Sequence, residues 1–154
     1  MPVVNAIPAD YPRVCPYLSV IGAADAIDFY AKVFGAQERM RLAGPDGKLG
    51  HAELQIGDSV IMLADEYPGM GGQSPKTLGG TPVTLTIYVE DVDQVFARAL
   101  HAGATEVRAV QDQFYGDRSG MFDDPFGHRW NVATHIEDVA PAEMEKRAAQ
   151  AVAG

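Results

Sequence analysis

The chain has one cysteine, Cys15, in 154 residues. A single thiol excludes an intrachain disulfide and any zinc cage built from cysteines. Positive charge is also scarce. Twelve Lys and Arg stand against 21 Asp and Glu, a net charge of −9, and no stretch concentrates the cations. Phosphate backbones are bound by clustered cations, so nucleic acid is not an expected partner. No apolar run nears the ~20 residues that span a bilayer. The opening MPVVNAIPADYPR lacks the basic start and apolar stretch of a signal peptide. From these absences we expect a cytoplasmic protein with no membrane partner. What is present is ordinary for a globular chain, 47% apolar and 21% charged, enough for one domain or two small halves sharing a core.

Residues 1–12 hold three prolines without a clear period and read as an extended arm. A strand over Val14–Val20 is broken by Gly22. Ala23–Phe34 then turns helical, with Ala23, Ala26/Ile27, Tyr30 and Val33/Phe34 forming one apolar stripe and Gly35 at its end. Strands follow at Gln37–Leu42, Gly50–Ile56 and Ser59–Ala64, the last two joined by a tight Gly57-Asp58 turn. Residues 66–82 contain five glycines and three prolines in 17 positions, the composition of a linker or of a flap over a cavity.

The pattern then restarts. A strand over Val83–Val89 precedes a helix over Asp91–Leu100, with Asp91 as N-cap and Gln94 three residues on. Strands near Thr105–Ala109, Ser119–Phe122 and His128–Thr134 come next. The last two flank Asp123-Asp124-Pro125-Phe126-Gly127, a turn sequence that fixes hairpin register. The alanine-rich stretch from Pro141 to Val152 reads as a helix with Glu143 and Arg147 one turn apart. The two halves align. Leu18-Ser19-Val20 matches Ile87-Tyr88-Val89 at an offset of 69 (87 − 18), and Phe34-Gly35-Ala36 matches Ala102-Gly103-Ala104 at 68 (102 − 34). Ile56-Gly57 matches Phe126-Gly127 at 70 (126 − 56). Near-constant offsets with one element order indicate a duplication. The domain plan is an arm (1–12), a first module (13–65), a linker or flap (66–82), a second module (83–139) and a helical tail (140–154).

On the segments Ala26-Ile27-Asp28-Phe29-Tyr30, Phe34-Gly35-Ala36, Gly57-Asp58, Val89…Asp91 and Asp124-Pro125-Phe126-Gly127, the chain resembles the vicinal oxygen chelate superfamily of glyoxalase I, bleomycin-resistance proteins and extradiol dioxygenases. Residues 50–66 and 115–139 are similar to its PhnB-like branch. The resemblance spans roughly residues 13–139. It implies an α+β fold of two tandem βαβββ modules forming a curled mixed sheet around a cup. The family's metal ligands, carried over position by position, fall on Cys15, Met62, Thr84 and Asn131. None is His or a carboxylate, so the usual metal site is not expected, nor are the glyoxalase I and extradiol dioxygenase activities that need it.

Strand alternation divides the side chains between two faces. Leu18/Val20, Leu54/Ile56, Ile61/Leu63, Leu85/Ile87 and Trp130/Val132 should meet the helices. The cup should then receive Cys15, Tyr17, Ser19, His51, Glu53, Gln55, Met62, Thr84, Thr86, Tyr88, Arg129, Asn131 and Ala133, a mixed aromatic and hydrogen-bonding lining suited to a small molecule. Tyr115 and Arg118 could stack on and fork onto a ligand, or belong to a solvated turn. His51-x-Glu53 could grip a metal, contact a ligand or form an ion pair. His128, His135 and Cys15 read as packing or exposed residues.

The expected ligand contacts are therefore Tyr17, His51, Glu53, Met62, Thr84, Tyr88, Tyr115, Arg118 and Asn131. No cofactor is expected, the one opening being a divalent metal at His51 and Glu53. The function this supports is a metal-free small-molecule-binding protein sequestering an antibiotic or metabolite. Its alternative is a metal-dependent or acid–base lyase, isomerase or dioxygenase using His51 and Glu53, with Glu53 the candidate catalytic group. The resemblance and the alanine-rich tail also lead us to expect a homodimer.

Overall fold

A computed structural model describes residues 3–153. The fold is α+β, with two four-stranded mixed sheets that are not closed into a barrel. Two compact units divide between Gly80 and Thr81, inside the stretch expected to be a connector.

The first unit runs β1 (Tyr17–Val20), α1 (Ala23–Phe34), β2 (Gln37–Ala43), β3 (Leu49–Ile56) and β4 (Ser59–Asp65), with strand order β1-β4-β3-β2. β1 runs parallel to β4, and the other pairs are antiparallel. The α1 stripe buries Ala26, Ile27, Tyr30 and Val33 along with Leu18, Val20, Leu54 and Leu63 of the sheet. Each fully buried large apolar side chain contributes about 1.5–3 kcal/mol over its exposed state. α1 begins at Gly22, which has no side chain to cap it. Asp65, at the end of β4, takes that role from a distance, accepting from the amides of Gly22 and Ala23 at 2.9 Å each.

The connector is folded rather than featureless. It contains a short 3-10 turn at Pro68–Met70 and α2 (Pro75–Leu78). Glu66 organises it, accepting from the Ser74 amide and the Thr77 hydroxyl at 2.8 Å each, and Ser74 is fully buried. The hydrogen bonds from the Ser74 amide first, then the Thr77 hydroxyl, hold the Glu66 carboxyl below its ordinary range.

The second unit repeats the plan with β5 (Thr84–Tyr88), α3 (Val92–His101), β6 (Thr105–Asp112), β7 (Asp117–Asp123) and β8 (Arg129–His135), in the order β5-β8-β7-β6. The expected N-cap is present: the Asp91 carboxylate accepts from the Gln94 amide at 3.1 Å. Thr134, near the end of β8, supports the helix start by accepting from the Val92 amide at 2.9 Å, as Asp65 does in the first unit. The turn into β8 is set by Asp124, which is 3% exposed and accepts from the amides of Phe126 and His128 and from the Trp130 indole. α4 (Pro141–Ala153) follows, with Arg147 reaching the Phe114 carbonyl and the carboxylates of Glu137 and Glu143.

Candidate functional site

In each unit the sheet face turned from the helix carries the polar side chains, as strand alternation requires. On the first unit, register places Met40, Glu53, Met62 and Tyr17 in one row across four strands. Glu53 is 5% exposed. Its two oxygens meet the Tyr11 hydroxyl at 2.6 Å and His51 Nε2 at 2.8 Å, while the Tyr17 hydroxyl lies 2.9 Å from His51 Nδ1. One tautomer satisfies the chain: Nε2–H donates to Glu53 and Nδ1 accepts from Tyr17. The hydrogen bond from His51, then that from Tyr11, hold the Glu53 carboxyl below its usual range despite burial. Burial and the neighbouring Glu53 charge push the Tyr17 phenol up, so it remains a proton donor at neutral pH. Arg39 covers the ring of Tyr11 at 4.5 Å. Chemically, this network can hold a proton between a tyrosine and a histidine.

On the second unit the corresponding row is Arg108, Met121, Asn131 and Thr86. Here the face is hollowed into a pocket of about 500 Å³ lined by these four with Thr84, Val107 and Tyr115. Arg108 Nη2 donates to Asn131 Oδ1 at 3.0 Å and to Ser119 Oγ at 3.3 Å. Arg108 Nε is buried without a partner, and among the described residues no carboxylate pairs with this guanidinium. The Asn131 amide nitrogen points to Thr86 Oγ1 at 3.4 Å. Beyond the pocket, the buried carboxylate of Asp117 accepts from the Tyr88 hydroxyl and meets His135 Nδ1, both at 2.8 Å, and His135 Nε2 lies 2.7 Å from Asp138.

Thr84, Tyr115 and Asn131 are thus three expected contacts that one pocket brings together. Tyr17, His51, Glu53 and Met62 belong to the row on the first unit, and Tyr88 to the Asp117 cluster. Arg118 is a correction. It lies in β7 on the helix side, where it grips Asp93 of α3 at 2.8 and 2.9 Å and Asp112 at 3.0 Å. Its alternation with Asp117 and Ser119 turns it away from the pocket. His135, expected to be packing or exposed, is half exposed and bridges two aspartates.

Sequence reasoning missed Arg108, Val107 and Met121. For the two β6 residues the cause is a register shift: Glu106 pairs with Phe122 and Arg108 with Met121, so β6 spends one more residue than β7 over that step. Such a bulge breaks alternation and re-aims side chains, and Val107 and Arg108 both line the pocket. The same irregularity recurs in the first unit between Glu38 and Met40, so the repeat carried the only available signal.

The four positions implied for a metal do not fit a divalent ion. The Cys15 thiol donates to the Pro12 carbonyl at 3.3 Å, Met62 offers a thioether, and Thr84 offers a neutral hydroxyl. Asn131 Oδ1, the one carbonyl-type donor, already faces a guanidinium, whose fixed charge opposes a second cation. Among the described residues, no three His, Cys, Asp or Glu side chains gather.

Comparison with known proteins agrees with this architecture. Rv0887c of Mycobacterium tuberculosis (strain H37Rv) is 51% identical over 137 residues, 87% of this chain and 81% of the relative. The crystal structure of TioX from Micromonospora sp. ML1 superposes with a TM-score of 0.62 at 27% identity, covering 81% of this chain and 99% of that one. A PhnB protein from Bacillus cereus, at 15% identity, shares the fold with a TM-score of 0.63, covering 80% of this chain and 99% of its own. Residues 15–132 match one family directly, and the chain belongs to the glyoxalase/bleomycin resistance protein/dioxygenase superfamily.

Proposed function

We propose that the protein is a metal-free small-molecule-binding protein, with its ligand seated in the pocket of the second unit. The observation that carries this reading is the Arg108 guanidinium, held in a pocket of about 500 Å³ without a carboxylate partner among the described residues. That volume suits a small organic molecule, and a half-buried cation without a counter-ion is a costly feature for the fold to keep without a ligand. The four superfamily ligand positions add support, because their donors and the adjacent guanidinium are unsuited to a divalent ion.

The chain's six methionines provide the test. Met121 lines the pocket, whereas Met40 and Met62 lie on the polar row of the first unit. With 13C-methyl methionine labelling and a panel of small metabolites, binders should shift the Met121 signal and leave Met40 and Met62 in place. A panel that never moves Met121 would sink the reading, and so would one tightly held metal ion per chain by elemental analysis.

A second reading has its own observation, the Glu53–His51–Tyr17 chain. It suits acid–base catalysis in which His51 holds a proton for the Tyr17 hydroxyl and Glu53 orients the ring. Any turnover detected in purified protein should fall by about 100-fold or more in Tyr17→Phe if that tyrosine transfers the proton. An unchanged rate removes it from the chemistry.

A further inference from the structure

Resting on this pocket reading, we propose that the ligand is a monoanionic carboxylate on an apolar or aromatic body, its carboxylate set against Arg108.

Among the described residues, Arg108 lacks the carboxylate partner that the arginines of β7, β8 and α4 each have. Arg118 pairs with Asp93 and Asp112, Arg129 with Asp123, and Arg147 with Glu137 and Glu143. In a chain of net charge −9, acidic partners are plentiful, yet the pocket lining holds this one cation and no Asp or Glu. The nearest acids on the same face are committed elsewhere, Asp117 to Tyr88 and His135 and Asp123 to Arg129. A single negative charge balances the site. A phosphate dianion would bring a second charge without a second cation in the lining.

Hydrogen-bond polarity agrees. Asn131 Oδ1 and Ser119 Oγ both accept from Arg108 Nη2, which fixes the guanidinium plane before any ligand arrives. Among the described residues, Nη1 and the Tyr115 hydroxyl have no partner within the chain. With its oxygen turned to Arg108 and one amide N–H directed at Thr86, Asn131 keeps a second amide N–H to donate. The groups left over are therefore mostly donors, and an ionised carboxylate only accepts. Val107, Met121 and the Tyr115 ring supply the apolar remainder, which selects for a hydrophobic body behind the charge.

Isothermal titration with matched acid and amide pairs tests the proposal: hydrocinnamate with its amide, octanoate with its amide, and inorganic phosphate alone. The wild-type protein should bind at least one acid about tenfold or more tightly than its amide, and Arg108→Met should remove that preference while leaving amide binding within about threefold. The acid–amide comparison in wild type needs no variant, so it stands even if Arg108→Met folds poorly. Equal binding of acid and amide with a Met121 methyl response overturns the carboxylate assignment and leaves the pocket reading intact. Phosphate binding tighter than either acid overturns the monoanion. No Met121 response to any compound overturns the pocket reading and this proposal together.

Discussion

The two polar faces begin from the same design and end differently. Each unit keeps one buried carboxylate bonded to one tyrosine and one histidine: Glu53 with Tyr11 and His51, Asp117 with Tyr88 and His135. In the first unit the central row ends there, with Met62 and Met40 beside Glu53. In the second, the position matching Met40 is Arg108 and the position matching Glu53 is Met121. The acid of that row has been exchanged for a thioether and a thioether for a cation. One face closes on itself; the other retains a charge that no carboxylate among the described residues neutralises. Buried polar groups are normally satisfied, so the unsatisfied face is where a ligand has work to do.

The largest expected effect tests the shared scaffold on the helix side. Ala52, fully buried on β3, corresponds to Gly120 on β7. A methyl group at Gly120 would come within 2.8 Å of Phe96 and Val110 side chains. The matching position to Phe96 in α1 is the smaller Ile27, so each unit balances a larger helix residue against a smaller strand residue. Gly120→Ala should cost about 1–3 kcal/mol through overpacking, measured by urea denaturation. Phe96→Ile in the same chain should recover part of it. Independent, additive losses in the double-mutant cycle would mean that the two residues are not a packing pair.

Next in size is the closed network. Glu53→Ala leaves the Tyr11 hydroxyl and His51 without their acceptor and should cost about 1–3 kcal/mol. The pH dependence has a definite sign. The folded Glu53 carboxyl lies below its ordinary value, so its stabilisation is complete above about pH 4.3 and fades as pH falls through the depressed folded value. Glu53→Gln should therefore flatten the acid limb of the stability curve. An acid limb identical to wild type would show that the carboxylate is not held as described.

A smaller change should make the open face resemble the closed one. Asn131→Asp places a carboxylate where Arg108 already donates, giving the guanidinium an internal counter-ion. The fold should tolerate it, with stability changing by less than about 1 kcal/mol. Binding of the acid probes should fall about tenfold or more while amide binding persists. Retained acid preference would show that the charge of Arg108 is not what selects the ligand.

The fold was largely legible in the sequence because duplication, alternation and turn chemistry are local signals. The stripe Ala26, Ile27, Tyr30 and Val33 predicted α1, and the Asp124 turn predicted the final hairpin. Asn131, Thr84 and Tyr115 were reachable by counting along strands or from their place beside a turn. Arg108 was not, because a bulge in β6 upsets the count. Arg118 failed for a related reason. Its two readings, a ligand contact or a solvated turn, both place it ahead of the hairpin, but β7 starts at Asp117, so its side chain belongs to the helix face. The folding of residues 66–82 around Glu66 depends on contacts eight and eleven residues apart, which composition cannot report.

The smallest effect separates the two buried acids by their histidines. His135 is flanked by Asp117 and Asp138, and its hydrogen bonds to them, that to Asp117 first, raise its pKa above the ordinary histidine value. The protonated form is thus favoured in the folded state. Its stabilising contribution is complete below about pH 6.5 and is lost as pH rises through the higher folded value. His135→Gln should make the neutral-to-alkaline limb of the stability curve shallower, with little change near pH 5 beyond a uniform offset. Because His135 is half exposed, solvent screens it and the effect should be modest. An NMR titration of its ring gives the direct check, and a midpoint at or below the ordinary histidine value would mean that Asp117 answers to Tyr88 alone. The second unit would then hold its buried acid by a single firm hydrogen bond where the first uses two, and the likeness between the two carboxylate clusters would reduce to their burial.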